Sequence, residues 1–314
     1  MNHEEKVLFI GSLKDQLNGS AEKLGFKGLN SDGRVESLAR QLFDSIRRVD
    51  YIYKICTKEY SGESINPSSR YFDPYKLISN LVKKEDYEEA YWLCFLTTYC
   101  GKNLKHGWGS LSAIYGGDTA IGINSWLQVS NNEATFFNWL DSIGENIKTG
   151  FGNHRKYETF KPTPGKGPRA VIHTYLNLMK LGGGTISQVN FFSNCKGIYT
   201  DDPENLFDAL YKFEASKILR FGRLSKFDYL TLLTKVGLIN LEPPEAYIST
   251  STGPKAGLAL LFLNNSQTSK PATWHKTKMN TLKSLELGPL KMQVLEDALC
   301  NWQKSPADYT AFRG

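Results

Sequence analysis

DYEEAYWLCFLTTYC, residues 86–100, opens with acids and continues in residues that are apolar on almost every side. A helix without a polar face belongs in the middle of a protein, so this stretch predicts a central buried helix. Around it the hydrophobic spacing is helical almost everywhere. In VESLARQLFDSIRRVDYIY (35–53), Leu38, Leu42, Ile46 and Val49 form one apolar stripe. Pro74 suits a first helical turn and Asp73 its cap. Further helices are predicted over 134–143, 169–181, 203–219, 226–236, 255–263 and 292–302. Gly237 and the Gly182-Gly183-Gly184 run serve as helix ends. No strand-like alternation persists beyond a few residues. The fold class is therefore all-α, mainly helical. The break KPTPGKGP (161–168) divides an N-terminal lobe (1–160) from a C-terminal lobe (161–314) with a cleft between them; it reads equally as a surface loop within one continuous domain.

A chain of 314 residues holds one large domain or two tightly packed ones. Acids and bases interrupt the first twenty residues, and no apolar run reaches the roughly 18 residues that a membrane span needs. Cys56, Cys94, Cys100, Cys195 and Cys300 are odd in number and form no CxxC pair, the usage of reduced thiols in a cytoplasmic protein. The five histidines form no HExxH or Cys/His cluster, and no phosphate loop or dinucleotide fingerprint is present. No metal or cofactor is expected. The net charge of +6 is unevenly spread: Lys148, Arg155, Lys156, Lys161, Lys166, Arg169 and Lys180 fall in one stretch whose single acid is Glu158. Gly, Pro and Asn among these cations favour a phosphate-binding surface, because exposed backbone N–H groups also bind phosphate. A merely solvated basic face is the alternative.

Five places are candidates for chemistry. Gly253-Pro254-Lys255 follows a loop and starts a helix, as in a helix-hairpin-helix element that presents backbone N–H groups and a cation to a DNA phosphate. In QVLEDALCNWQK (293–304), Asp297, Asn301 and Lys304 share one face. Asp50 falls with Arg48 and Tyr53 at the end of a helix, and Asp228, a catalytic or a capping carboxylate, follows the glycine break at Gly222 and Arg223. Cleaving an N-glycosidic bond creates oxocarbenium character at the sugar, which a carboxylate stabilises, so Asp297, Asp228 and Asp50 are the candidate catalytic acids. Asn153, His154, Arg155 and Asn301 are candidate base-binding donors, with Trp108 and Tyr51 as stacking aromatics. Lys156, Lys166, Arg169, Arg223, Gly253 and Lys255 are candidate phosphate contacts. Each of these clusters also reads as a satisfied structural network.

The stretches RRVDYIYKI (47–55), YFDPYKLISNLVKKEDYEEAYWLCFL (71–96), GNHRKYE (152–158), RFGRLSKFDYLTLLTKVGL (220–238), GPKAGL (253–258) and QVLEDALCNWQKSP (293–306) run over most of the chain. Together they resemble the alpha-glutamyl/putrescinyl thymine pyrophosphorylase-like family, clade 3. The resemblance implies a helical fold related to helix-hairpin-helix glycosylases, with no required metal or nucleotide. It implies an antiphage DNA glycosylase of the kind that excises glucosylated hydroxymethylcytosine from double-stranded DNA, leaving abasic sites. No lysine is placed for a Schiff base, so lyase activity is not expected, and the protein is expected to be a monomer. The competing classes are a transferase or kinase that modifies hydroxymethylated bases and a non-catalytic DNA-binding protein.

Overall fold

The computed structural model describes residues 2–117, 122–144, 147–155, 157–161, 163–180, 186–267 and 269–311. The candidate phosphate contact Lys156 and the glycine run at 182–184 lie outside the described residues. Among the described residues, fourteen α-helices account for the architecture. The sole β-type pairings among them are two isolated bridges, Asn103 with Gly107 and Thr163 with Lys166. No helix there is long and apolar enough to cross a membrane.

The chain divides into two compact units, residues 1–51 with 243–313 and residues 52–242. Residues 161–168 fall inside the second of these.

The first unit holds α1 (His3–Leu24), all but the last turn of α2 (Asp32–Cys56), α12 (Gly253–Leu263), α13 (Ala272–Thr281) and α14 (Lys291–Trp302). α1 carries a capping box: Asn2 accepts from the Glu5 N–H while Glu5 accepts from the Asn2 N–H, both at 2.9 Å. It buries only Ile10, Leu13 and Leu17, which is why its amphipathic signal is weak. α12 and α14 cross closely. A Cβ on Gly257 would strike the Leu299 carbonyl, and one on Gly253 would lie 2.6 Å from Cys300 Sγ. These two glycines, four apart on one helix face, let the backbones approach.

The second unit holds α3 (Pro74–Lys83), α4 (Tyr87–Cys100), α5 (Gly109–Tyr115), α6 (Trp126–Asn131), α7 (Glu133–Ile143), α8 (Gly167–Lys180), α9 (Gln188–Ile198), α10 (Pro203–Ala209) and α11 (Arg223–Lys235). α4 is its axis: every residue from Glu89 to Cys100 is buried. Phe95 stacks on Tyr175 with ring centroids 3.7 Å apart, and Trp92, Tyr99, Phe221 and Tyr229 close round them. Each such ring contributes about 2–3 kcal/mol on burial. The helix expected over 203–219 is instead α10, a π-helical turn at 210–214 and a 3-10 turn at 215–217. α11 ends in a Schellman motif, with Gly237 at φ +81° and Leu238 N–H donating to the Leu233 carbonyl.

Candidate active site

At the end of α4 the chain turns through Gly101 (φ +63°) and crosses a second segment at Gly152. A Cβ on Gly152 would lie 2.9 Å from the Gly101 backbone, and the Gly152 N–H donates to the Cys100 carbonyl at 2.8 Å. This crossing fixes where the 3-10 turn Asn153–Arg155 emerges. Asn153 and His154 are exposed, whereas Arg155 folds back and is half-buried. Its Nη1 donates to the His154 carbonyl at 3.2 Å, while its Nε is buried with no hydrogen-bond partner among the described residues. A buried donor without an acceptor costs about 1–3 kcal/mol.

Asp228, on α11, is the acid whose charge acts most strongly on this arginine. That helix is buried almost all round, with Phe227, Tyr229, Leu230, Leu232 and Leu233 in the core. The Asp228 side chain is enclosed by protein on nearly every side, yet part of the residue is still reached by solvent. Burial pushes its carboxyl above the usual carboxylate range. Arg155, then Lys235, His154 and Arg223, pull it back down. No donor among the described residues hydrogen-bonds its carboxylate. Burial likewise lowers the Arg155 pKa, with Asp228 and then Glu158 opposing it. Asp228 does not cap α11: Gly222 is the N-cap, and Asp228 lies beyond the first turn.

The single acid of the basic stretch is taken up internally. Glu158, almost fully buried, accepts from Arg220 Nε and from the Tyr99 hydroxyl at 3.1 Å. Arg220 has φ +60°, a strained conformation for a residue with a Cβ, and such strain gathers at functional sites. Neither Arg220 nor Tyr99 stands out by spacing, because an ion pair 62 positions apart has no local signature. Tyr157, in the same loop, is 79% exposed.

The remaining candidates fall elsewhere. In the first unit, Asp297 Oδ2 accepts from Ser45 Oγ and Arg48 Nε, each at 2.8 Å, and from Arg48 Nη2. Its Oδ1 accepts from Asn301 at 2.9 Å, and Lys304 completes the row on Asn301 at 3.0 Å. The predicted face of α14 is real, but its carboxylate is already occupied. Asp50 is half-buried on α2, outside this network, and Tyr51 is exposed. Gly253 is constrained by Cys300, and Lys255 on the first turn of α12 acts on the buried His275.

In the second unit, Lys166 and Arg169 line a recess of about 410 Å³ at the start of α8, with Lys161 and His173. Arg169 is paired there with Asp141 at 2.5 Å and lies over Phe137. Trp108 is largely buried, edge-on to Tyr75, and lines another recess of about 530 Å³. Among the described residues, no three His, Cys, Asp or Glu side chains come together as a metal site.

A search of curated proteins finds no match to the chain, and neither does a search of solved structures. A family model does match, over residues 33–314, which takes in most of both units, with Arg155 and Asp228. The chain belongs to the alpha-glutamyl/putrescinyl thymine pyrophosphorylase clade 3 family.

Proposed function

We propose that the protein is a DNA glycosylase that removes a hypermodified base, of the glucosylated hydroxymethylcytosine kind, from phage DNA and leaves an abasic site. The observation that carries this reading is the Asp228 carboxyl on a buried helix, on which the charges of Arg155, Lys235, His154 and Arg223 act, together with a buried Arg155 Nε that lacks an acceptor among the described residues. A target base must leave the stack to reach such a site. As the C1′–N bond breaks, its electron pair departs with the base, and charge gathers on the base opposite the Arg155 guanidinium. The sugar gains cation character opposite the Asp228 carboxylate. Water adds to C1′ and yields its proton to Asp228. Asn153 and His154 supply donors at the mouth, and Arg223 and Lys166 supply charge for backbone phosphates. Asp297 acts as a positioning group, because its lone pairs are filled by Arg48, Ser45 and Asn301.

The family's description names a pyrophosphorylase of a modified thymine, and this favours one second reading, group transfer onto a modified base. Incubation of the purified protein with glucosylated and with unmodified phage DNA, with and without ATP, separates them. Release of free base with alkali-labile sites, without ATP, supports the glycosylase. ATP-dependent mass gain on the DNA overturns it in favour of transfer. A gel shift with no chemistry leaves a binding protein.

A further inference from the structure

The hairpin Lys102-Asn103-Leu104-Lys105-His106-Gly107 takes no part in the chemistry at Asp228. It is closed by reciprocal backbone bonds between Asn103 and Gly107, at 2.8 and 2.9 Å. Inside it the Asn103 Oδ1 accepts from the N–H groups of Lys105 and His106, at 2.9 and 3.0 Å. Its Nδ2 donates to the Phe151 carbonyl at 2.8 Å. The loop is therefore built rigid, with its base tied to the segment that turns into Asn153–Arg155. At its tip Leu104 is 77% exposed. Lys102, Lys105 and His106 around it are exposed as well. The recess of about 530 Å³ lined by His106 and Trp108 also takes in Arg70, Lys148, Ser68, Ser69 and Thr149, and no carboxylate among its described lining residues.

A single leucine held out on a stiff, cation-flanked loop has no core to enter. Charge complementarity selects its partner: a polyanion that offers an apolar interior between charged edges, namely a nucleic-acid duplex. We propose that Leu104 is a wedge that enters the base stack and fills the gap left by the extruded nucleotide, with Lys102 and Lys105 on the flanking phosphates. Apolar wedges of this size part base steps at the expense of unstacking. The shared base of the two loops couples the insertion to Arg155: where Leu104 enters, the displaced nucleotide is delivered beside the Asn153–Arg155 turn. This inference rests on the base-excision reading and deepens it.

The test uses the full-length protein and an oligonucleotide with one glucosylated 5-hydroxymethylcytosine next to 2-aminopurine, as a duplex and as a single strand. The wild type is expected to raise 2-aminopurine fluorescence in the duplex and release the base from both forms. Leu104→Ala is expected to lose at least tenfold more activity on the duplex than on the single strand and to lose most of the fluorescence rise. Leu104→Met, which restores bulk, is expected to recover both. Equal losses on the two substrates, or a fluorescence rise unaffected by Leu104→Ala in an active enzyme, would overturn the wedge alone. A wild type that releases no base from either form would overturn the underlying reading, and the wedge with it, a result distinguishable by the wild-type control.

Discussion

Asp228 and Asp297 make a controlled pair. Both sit on buried helices beside arginine, both are candidates by residue type, and each belongs to a different unit. Asp297 is bonded: Arg48, Ser45 and Asn301 occupy its oxygens. Asp228 is surrounded by cations that act on it through space while no hydrogen bond among the described residues holds its carboxylate. The first arrangement spends the charge on holding α2 to α14. The second leaves the charge available and keeps solvent access to it. Proximity to arginine is therefore a poor guide to catalysis; unfilled lone pairs are a better one.

The largest expected effect divides these two carboxylates. Asp228→Asn is expected to reduce base release about 10²–10⁴-fold, the range for loss of a positioned acid-base group, with no loss of thermal stability. Asp297→Asn is expected to do the reverse. Its ion pair is about one-third exposed on each side, so the destabilisation is about 1 kcal/mol, with activity per folded molecule falling less than tenfold. Single-turnover base release and thermal melts on both variants measure this. A dead Asp297→Asn beside an active Asp228→Asn inverts the comparison.

The arginine comes next. Asp228 acts as its anion, so activity is present above its folded-state pKa and lost as pH falls through it. Because burial holds that pKa above the ordinary range, the acid limb of the rate profile should lie above the usual carboxylate value of about 4. Arg155→Met removes the cation that pulls the Asp228 pKa down most strongly. It is expected to slow base release by about 10²-fold and to move the acid limb to higher pH. A limb that stays put would detach Arg155 from Asp228. Arg48→Met in the other network should leave that limb where it is.

How much of this was legible follows from the range of each interaction. The buried axis α4, the stripe of α2, the Asp73–Pro74 start of α3 and the shared face of Asp297, Asn301 and Lys304 are all local patterns, and residues a few positions apart specify them. α1, α9 and α13 escaped because they expose polar residues on most sides, and their few buried positions make no clear stripe. Residues 203–219 do not continue as one α-helix, because a π-helical turn at 210–214 interrupts the register. At the site, GNHRKYE announced a donor-rich loop. What it could not announce is that Arg155 turns inward, that Glu158 is neutralised by Arg220, or that Gly101 and Gly152 need each other. Gly253 reads as a DNA-phosphate contact because Gly-Pro starts helices in that role as in others; the nearness of Cys300 depends on a helix 47 positions away.

A third contrast lies in stability. Glu89, on α4, is 7% exposed and accepts from the Trp126 N–H at 2.7 Å, with the Tyr115 hydroxyl near its carboxylate. Burial pushes its carboxyl up to about 7 from 4.5. The folded form thus holds its proton where the unfolded chain has released it, so stability falls as pH rises from about 4.5 to about 7. The shift corresponds to about 3 kcal/mol at most. Glu89→Gln keeps the acceptor for Trp126 and removes the ionisation, so it should be more stable than wild type at pH 8 and similar at pH 4. Urea midpoints at the two pH values check this. No gain at pH 8 would mean that Glu89 is charged and satisfied in the folded state.

The smallest effect concerns the first unit and has the opposite sign. His275 on α13 is 2% exposed, and neither ring nitrogen has a hydrogen-bond partner among the described residues. Burial, then the charge of Lys255, lowers its pKa below 6.5. The fold therefore holds a neutral ring, and its contribution is present above the unfolded value of 6.5 and lost as pH falls below it. A single group of this kind imposes a slope of at most about 1.4 kcal/mol per pH unit. His275→Phe has no proton to take up, so its stability between pH 6.5 and 5 should be flatter than wild type even if its packing is worse overall. Matching wild-type and variant slopes would show that the imidazole charges freely in the folded state. The acid response of the first unit at His275 would then no longer contrast with that of the second, where Glu89 gains stability over the same fall in pH.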